Sequence, residues 1–173
     1  MSSVRTLTLF RHAHAEKPTE EIEDFERELD KRGRREAKRM SQRLAALGPP
    51  PDHLITSSSV RTVQTAKILA HALGFPLERI RHDDRVYLAD ADRLLAILQH
   101  CPEDASHVLL VGHNPGLSVI AGRLESSHDV PEMPTAALCS LELPIAHWRD
   151  LSWRMGRCVH SAAPGDDHYD DEE

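Results

Sequence analysis

A nearly continuous apolar run at residues 107–111, His-Val-Leu-Leu-Val, most constrains how this chain can fold. A strand without polar alternation must be covered on both faces, which is typical of the interior strands of parallel sheets. The sequence Gly112-His113-Asn114-Pro115 follows at once, with Pro115 suited to the first position of a helix and Asn114 suited to its cap. The pattern therefore predicts a buried strand, a short turn and a helix.

The same order of a short apolar strand and a helix repeats along most of the chain. Strands are predicted at residues 4–10, 53–56, 76–81, 107–111 and 136–143, with an antiparallel neighbour of the last strand at 150–158. Helices are predicted at residues 31–47, 60–73, 91–100 and 115–124. Strands that alternate with helices favour a three-layer α/β/α sandwich around a mostly parallel central sheet.

Capping residues and helical spacing give the boundaries and faces of two of these helices. Asp30 is placed to cap the first helix, and Gly74 is placed to end the second. Helical spacing predicts that the second helix buries Val60, Val63, Ala66, Ala70 and Leu73. Arg61 lies in the first turn of that helix, where a cation opposes the helix dipole. Together with the free backbone N–H groups, Arg61 would instead form an anion site.

Length and composition bound the class of protein. At 173 residues and 40% hydrophobic content, the chain suits one globular domain, which we place at residues 1–160, followed by an acidic tail at 161–173 that we expect to be disordered. The net charge of −7 argues against nucleic-acid binding through a basic field. The N-terminus lacks a signal-peptide core, and the apolar stretches are too short to span a membrane. Three cysteines without paired spacing, Cys101, Cys139 and Cys158, indicate reduced thiols and a cytoplasmic location.

Charged and titratable side chains follow three of the predicted strands. Arg11-His12 ends the first strand, Arg61 opens the helix after the second, and His113 comes directly after the apolar strand. Ligands of open α/β sheets bind at the carboxyl ends of the strands, so we expect these side chains to share one edge. A phosphoryl group suits the set, because guanidinium groups bind its oxygens bidentately and a neutral imidazole is a competent nucleophile.

Three motifs in this sequence resemble those of the histidine phosphatase superfamily: Arg11-His12-Ala13, residues 57–66, and Gly112-His113-Asn114-Pro115. Together with residues 27–33 and 86–89, they are similar to the SixA-type branch, the phosphohistidine phosphatases. Ala13 stands where the superfamily typically has Gly, but Ala is tolerated in this branch. The likeness extends over nearly the whole chain to about Leu143, and it implies the superfamily's α/β fold without its larger insertions.

The resemblance implies a role for each matched residue. His12 would attack phosphorus and become phosphorylated, while Arg11, Arg61 and His113 would bind the phosphoryl oxygens and stabilise the transition state. Water would then hydrolyse the phospho-His12 intermediate. No metal and no cofactor is implied, because cationic side chains take that role. The candidate substrate-binding residues are Arg27, which would close over the site, Asn114, and Thr135, which would border it.

The chain lacks a Glu that the larger phosphomonoesterase branches use to protonate a leaving alkoxide. No Glu occurs between Asp83 and Arg93, and the candidate acids in that segment are Asp84, Asp90 and Asp92. An alkoxide leaves poorly without a proton, whereas the imidazole of phosphohistidine can depart without a strong acid. The missing Glu therefore favours a phosphorus–nitrogen substrate over a phosphate ester.

The sequence thus predicts a phosphatase that forms a covalent phosphohistidine and acts on phosphohistidine of a signalling or phosphotransfer protein. One alternative is a phosphatase for small phosphate esters or other phosphoproteins, which a general acid would support. A second alternative is a non-catalytic phosphate-binding module. The presence of both His12 and His113 argues against the module, because binding alone does not need a nucleophile.

Overall fold

The computed structural model describes residues 3–127 and 132–166. These residues form a six-stranded sheet in the order β3-β2-β4-β1-β5-β6. The strands are β1 (Arg5–Arg11), β2 (His53–Thr56), β3 (Arg81–His82), β4 (His107–Gly112), β5 (Leu138–Leu143) and β6 (Arg157–Ala162). Strands β1 to β4 are parallel, whereas β5 is antiparallel to β1 and to β6. The predicted mostly parallel sheet is confirmed.

Helices cover both faces of this sheet. Within the described ranges they are α1 (Lys31–Ala46), α2 (Val60–Leu73), α3 (Ala91–Gln99) and α4 (Gly116–Leu124). On β4, Val108 and Leu110 pack with α3 and α4, whereas Leu109 and Val111 pack with α1 and α2. The apolar run is therefore buried on both faces, and the three-layer sandwich is confirmed. None of the helices in these ranges is long and apolar enough to cross a membrane.

The predicted caps of α1 and α2 are confirmed. The Asp30 side chain accepts a hydrogen bond from the backbone N–H of Gly33 at 2.7 Å, and α1 begins directly after Asp30. Gly74 ends α2 in the left-handed conformation, with a φ of 67°. Glycine adopts this conformation without the steric cost that a Cβ would bring, so the helix stops there.

The start of α4 lies one residue later than predicted. Pro115 is the residue before the helix, and Gly116 is its first residue. The Asn114 side chain still stabilises this terminus, because its Oδ1 accepts from the backbone N–H of Ser118 at 3.1 Å. Gly116 is needed here, since a Cβ would lie 2.2 Å from the carbonyl oxygen of Ala89. The loop before α3 therefore packs directly against the start of α4.

Two predicted strands differ from the structure. Within residues 76–81, Leu77–Arg79 form a 3-10 turn, and the edge strand consists only of Arg81 and His82. The predicted strand at 150–158 begins only at Arg157, because residues 154 and 156 instead donate backbone hydrogen bonds to the end of α4. Strand β6 then continues to Ala162, beyond the predicted domain boundary at 160. Residues 167–173 of the predicted tail lie outside the described residues.

The buried face of α2 is more polar than predicted. Its buried residues are Arg61, Thr62, Thr65, Ala66, Leu69 and Ala70. The expected Val60, Val63 and Leu73 are only partly buried. The helix is rotated so that its first turns present Arg61, Thr62 and Thr65 to the carboxyl ends of the strands. An apolar periodicity does not report this orientation, because it assumes that only apolar residues face the interior.

The cysteines are free thiols, but two of them are neighbours. Cys139 on β5 and Cys158 on β6 have their Sγ atoms 3.3 Å apart, whereas Cys101 lies in the core beside α3. The sequence showed no paired spacing, because the two cysteines meet only through the antiparallel pairing of β5 with β6, next to an irregularity in its register.

Candidate active site

The carboxyl ends of β1, β2 and β4 lie side by side, because β4 pairs with both other strands. Arg11 is in register with Gly112, and the backbone N–H of His12 donates to the Gly112 carbonyl at 3.1 Å. His113 follows Gly112 directly. The ring centroids of His12 and His113 are consequently 5.2 Å apart. Parallel pairing thus brings together two motifs that are far apart in the sequence.

The loop after β2 brings the third motif to the same edge. The backbone N–H of Ser57 donates to the Val111 carbonyl at 3.1 Å, which holds this loop against the end of β4. The Thr62 hydroxyl donates to the carbonyls of Ser57 and Ser59, each at 2.9 Å, which orders the first turn of α2. This turn places the Arg61 side chain inside the edge, where it is only 3% exposed.

The guanidinium group of Arg61 lies between the two imidazoles. Its Nε donates toward Nε2 of His12 at 3.4 Å, and its Nη2 lies 3.4 Å from Nδ1 of His113. These contacts are long for hydrogen bonds, so the same N–H groups remain available to donate to stronger acceptors. A planar guanidinium presents parallel N–H groups that match the oxygens of a phosphoryl group.

The hydrogen bonds of His12 determine which ring nitrogen is available to react. Its Nδ1 lies 2.8 Å from the carbonyl oxygen of Ala13, which can only accept, so Nδ1 carries the proton. The lone pair of the neutral ring is then on Nε2. Burial and the charges of Arg61, Arg11 and Arg27 lower the pKa of His12 to about 4, although the bond to Ala13 opposes this shift. At neutral pH, His12 is a neutral imidazole with a free nucleophilic nitrogen.

His113 is also neutral at neutral pH. Its Nε2 lies 2.8 Å from Oγ of Ser57, while its Nδ1 faces Nη2 of Arg61. Burial, followed by the charges of His12 and Arg61, lowers the pKa of His113 to about 3. A phosphoryl dianion next to Nδ1 would favour the protonated ring, since an opposite charge stabilises the imidazolium. His113 would then donate to a phosphoryl oxygen.

Arg11 supplies a second, half-buried cation with an unused donor. Its Nη1 donates to the Met133 carbonyl at 3.1 Å, but its Nε is buried and has no hydrogen-bond partner within residues 3–127 and 132–166. Burial, and then the charge of Arg61, lowers the pKa of Arg11. Buried donors nearly always have partners. An unpaired N–H beside a second guanidinium therefore indicates a binding site for an anion.

The structure brings together all four residues predicted from the strand-end motifs, namely Arg11, His12, Arg61 and His113. Their N–H donors and one nucleophilic nitrogen lie together at the carboxyl ends of β1, β2 and β4. In the part of the chain that the structure describes, no group of three or more His, Cys, Asp or Glu side chains is placed to hold a metal ion. The arrangement can hold a phosphoryl dianion through charge-assisted hydrogen bonds while His12 approaches phosphorus.

The 14–29 connection between β1 and α1 adds a residue that sequence reasoning missed. Asp24 begins a 3-10 turn, Asp24–Glu26, and its Oδ2 lies 3.0 Å from Nη2 of Arg61. The hydroxyl of Tyr87 donates to the same oxygen at 2.6 Å, and the Tyr87 ring packs edge-on to His113 with 5.3 Å between centroids. Nothing in the sequence distinguishes Asp24 from the other acids of this connection. Only the fold shows that it reaches Arg61.

Arg27 lies at the rim of the site, where its guanidinium is already bound. Its Nε donates to Oδ1 of Asp24 at 3.0 Å, and its Nη1 donates to the Glu16 carbonyl at 2.9 Å. The closure of Arg27 over the site stays a prediction, since these contacts go to the 14–29 connection itself. The side chain orders the 14–29 connection, and its charge contributes to the lowered pKa of His12.

Asn114 and Thr135 border the site through the backbone. The Asn114 amide donates to the Met133 carbonyl at 2.8 Å, which links the start of α4 to the turn before β5. Thr135 lies half-buried in that turn, and the next residue, Ala136, donates its N–H to the carbonyls of Arg11 and His12. These contacts support the position of Arg11 and His12, and substrate contact by Asn114 or Thr135 stays a prediction.

The two leading candidate acids occupy different positions. Asp84 is exposed in the 3-10 turn Asp84–Val86. Asp90 caps α3 by accepting from the backbone N–H of Arg93 at 2.9 Å, and it also borders a cavity of about 240 Å³ that reaches His113 and Asn114. Asp90 is therefore closer to the site than Asp84, but its Oδ1 is used in capping the helix.

Known proteins are similar to this chain in sequence and in fold. Residues 7–86 match the sequence model of the histidine phosphatase superfamily (branch 1). An uncharacterized chloroplastic protein of Arabidopsis thaliana is 30% identical to this chain over 131 residues. That match spans 71% of this chain and 60% of the plant protein, so the chain covers less than two thirds of that relative.

Solved structures extend the similarity to nearly the whole chain. The SixA protein of Nakamurella multipartitia has a TM-score of 0.81 at 27% identity, covering 95% of this chain and 98% of its own. The SixA protein of Agrobacterium tumefaciens has a TM-score of 0.77 at 25% identity, covering 92% and 98% of the two chains. Residues 7–86 of this chain thus match the histidine phosphatase superfamily, and the fold of nearly the whole chain is similar to that of SixA proteins.

Proposed function

We propose that this protein is a phosphatase in which Nε2 of His12 attacks phosphorus and carries the phosphoryl group as a covalent intermediate. The observation that carries the proposal is the hydrogen bond from Nδ1 of His12 to the Ala13 carbonyl. This bond leaves the lone pair on Nε2, next to the N–H groups of Arg61. A buried, neutral and oriented imidazole among cations is suited to nucleophilic attack on an anionic phosphoryl group.

The proposed first step is an in-line displacement. A bond forms between Nε2 of His12 and phosphorus while the bond to the leaving group breaks, and the leaving atom keeps the electron pair. Arg11, Arg61 and His113 donate to the phosphoryl oxygens and stabilise the charge that they carry. The phosphorylated His12 ring is cationic, because Nδ1 keeps its proton, and the Ala13 carbonyl stabilises that cation.

The proposed second step restores the enzyme. A water oxygen attacks phosphorus, the bond to Nε2 breaks, and His12 regains its lone pair as a neutral imidazole. Inorganic phosphate is released together with the proton that the water loses. The chain's cationic donors supply the electrostatic stabilisation in both steps, since the same phosphoryl oxygens stay between Arg11, Arg61 and His113.

We propose phosphohistidine on a signalling or phosphotransfer protein as the substrate. An imidazole leaves phosphorus without strong acid assistance, and the site has no Glu in the segment between Asp83 and Arg93. The similarity to SixA proteins supports the same substrate class, because that branch is named for phosphohistidine hydrolysis. The three free thiols support a location in the cytoplasm, where thiols stay reduced.

A phosphatase for phosphate esters is the second candidate, and one observation favours it. Asp90 borders the cavity that contains His113, so a carboxyl group lies near the site even though the chain lacks the expected Glu. If Asp90 protonated a leaving alkoxide, Asp90→Asn would reduce ester hydrolysis strongly and phosphohistidine hydrolysis little. Equal effects on both substrates would remove this support for the second candidate.

The decisive experiment compares wild type with His12→Ala on a phosphohistidine-bearing protein and on p-nitrophenyl phosphate. We expect His12→Ala to lose at least about 10³-fold in turnover and to form no acid-labile phosphoenzyme, because it lacks the nucleophile. Wild type should prefer the phosphohistidine protein. The matched control is His71→Ala, since His71 is an exposed histidine of α2.

Each result leads to a separate conclusion. Retained turnover in His12→Ala would overturn the covalent mechanism. Faster hydrolysis of the ester than of phosphohistidine by the wild type would shift the function to the second candidate. Phosphate binding by the wild type without turnover on either substrate would leave the non-catalytic module.

A further inference from the structure

Asp24 is bound into the site through every oxygen that it carries. Its Oδ1 accepts from Arg27, and its Oδ2 accepts from the Tyr87 hydroxyl at 2.6 Å and from Nη2 of Arg61 at 3.0 Å. Its backbone carbonyl also accepts from Nη1 of Arg61 at 2.6 Å. The hydrogen bond from Tyr87, supported by Arg27 and Arg61, holds the pKa of the Asp24 carboxyl far below its usual range. Asp24 is therefore an anion, and it has no proton to donate.

The two edges of the Arg61 guanidinium face different groups. Nη1 and Nη2 donate to the carbonyl and carboxylate of Asp24. Nε and Nη2 also lie 3.4 Å from Nε2 of His12 and from Nδ1 of His113. Asp24 thus binds one edge of the guanidinium and leaves the other edge directed at the two imidazoles, where phosphoryl oxygens would lie.

We propose that Asp24 is a positioning residue for Arg61, and that through this contact the 14–29 connection orders the phosphoryl site before substrate binds. The inference rests on the proposed function and adds a residue to it. A free arginine side chain has many rotamers, so ordering it during the reaction would cost entropy. Because Asp24 binds Arg61, this entropy is already lost when the chain folds. Arg61 can then donate in the transition state without a further entropy loss.

Tyr87 extends this contact to the second imidazole. Its hydroxyl is bound to Asp24, and its ring packs edge-on against His113 and against Phe25, the neighbour of Asp24. Asp24 therefore links the 14–29 connection, the start of α2 and the loop that carries Tyr87. These segments come together beside Arg61 and His113, so loss of the carboxylate is expected to affect phosphoryl-oxygen contacts first.

The sign of the effect separates positioning from two other roles. If Asp24 were only an anion at the rim, it would repel phosphate, and neutralising it would strengthen anion binding. If its carboxylate occupied the phosphoryl position, removing it would also strengthen binding. Positioning predicts the opposite result, because an Arg61 that has lost its order binds the transition state less well even in a more positive site.

The test uses Asp24→Asn, which keeps the shape of the side chain and removes its charge. The probes are orthovanadate, which adopts the five-coordinate geometry of phosphoryl transfer, and inorganic phosphate. We expect the affinity for vanadate to fall by about 10-fold or more, the affinity for phosphate to fall less, and kcat to fall while KM changes little. Asp24→Glu should recover part of the loss, because it restores the charge.

The matched control is Glu21→Gln, which makes the same charge change at an exposed position of the 14–29 connection. Its vanadate affinity should stay within about twofold of wild type, since a distant exposed charge is screened. If Asp24→Asn melts at a lower temperature than this control, Tyr87→Phe repeats the test by removing only the hydroxyl that binds Oδ2 of Asp24.

Unchanged or stronger vanadate binding in Asp24→Asn, with kcat retained, would overturn the positioning role. This outcome is separate from failure of the proposed function. If the wild type turned over no phosphohistidine or ester substrate, the function would fail, whereas the comparison of vanadate affinities would still decide whether Asp24 positions Arg61.

Discussion

Strand β4 has a histidine at its start and another just after its end, and the two differ in their neighbours more than in their burial. His107, at the start, has Nε2 2.8 Å from the Thr8 hydroxyl and Nδ1 3.1 Å from the Pro49 carbonyl. His113, after the end, faces Arg61 and Ser57. Burial lowers the pKa of both rings. A lowered pKa therefore identifies a buried imidazole and does not by itself identify a site.

The charges around the two rings make the difference. At His107, the Pro49 carbonyl and the nearby Asp52 oppose the effect of burial on the pKa. At His113, the next causes after burial are His12 and Arg61, and they lower the pKa further. Both ring nitrogens of His107 have neutral hydrogen-bond partners, whereas His113 lies among positively charged donors. That positive charge is what a bound phosphoryl dianion would neutralise.

The sharpest way to break this comparison is to change both histidines in the same manner. We expect His113→Gln to lower kcat/KM by roughly 10²–10³-fold, because it removes a donor to the phosphoryl oxygens in the transition state. His107→Gln should lower it by less than about twofold and instead lower the free energy of unfolding by about 1 kcal/mol through its altered hydrogen bonds. Kinetic assays and urea unfolding of both variants measure these values. Comparable kinetic losses would show that burial matters more than the charges.

The second prediction concerns Arg61, the cation that lies beside His113 at the carboxyl end of β4. Arg61→Lys keeps the charge but removes the planar fork, so we expect kcat/KM to fall by about 10–100-fold. Arg35→Lys, an exposed position on α1, serves as the control and should behave as wild type. Full activity in Arg61→Lys, measured on the preferred substrate, would show that the site needs a charge and no particular geometry.

The third prediction concerns the pH dependence of stability that His12 and His113 cause. The folded chain holds His12 and His113 neutral, with pKa values of about 4 and about 3 against an ordinary 6.5. Between pH 6.5 and these lowered pKa values, the unfolded chain binds more protons than the folded chain. The free energy of unfolding therefore decreases as the pH falls, down to about 4 for His12 and about 3 for His113. Each such group contributes up to about 1.4 kcal/mol per pH unit within its window.

Sulfate makes this pH dependence specific to the site, because it stays a dianion throughout the window. Bound between Arg11 and Arg61, it should raise the pKa values of His12 and His113 and flatten the loss of stability at low pH. In His107→Gln, the remaining slope should still respond to sulfate. Urea unfolding at several pH values, with sulfate or with chloride, measures the slopes. A slope that ignored sulfate in the wild type would contradict an anion site between the imidazoles.

The strand-end motifs were predictable because they obey local rules. An apolar strand followed by polar residues at a helix start predicts where a functional group lies in a parallel sheet, and Arg11, His12, Arg61 and His113 were found in this way. Caps such as Asp30 are equally local. The edge strand at residues 81–82 and the late start of β6 were not predicted, because backbone pairing with distant residues decides both.

The polar face of α2 shows a second limit of periodicity. Apolar spacing placed Val60 and Val63 inside, yet Arg61 and Thr65 are the buried residues. Thr65 accepts from the backbone N–H of Ala13 at 3.1 Å, which fixes the loop beside His12. Residues that serve a site are buried for their hydrogen bonds, so they depart from an apolar pattern.

By itself, the sequence determined the order of strands and helices, the three-layer class and the four residues at the strand ends, because propensity, capping and apolar runs depend on near neighbours. Only the tertiary structure decided that Asp24 reaches Arg61, that Tyr87 packs on His113, and that Nδ1 of His12 carries the proton. These features depend on distances between segments that are remote in the chain, or on the orientation of one ring. A one-dimensional pattern contains neither of these, since both arise when the segments pack.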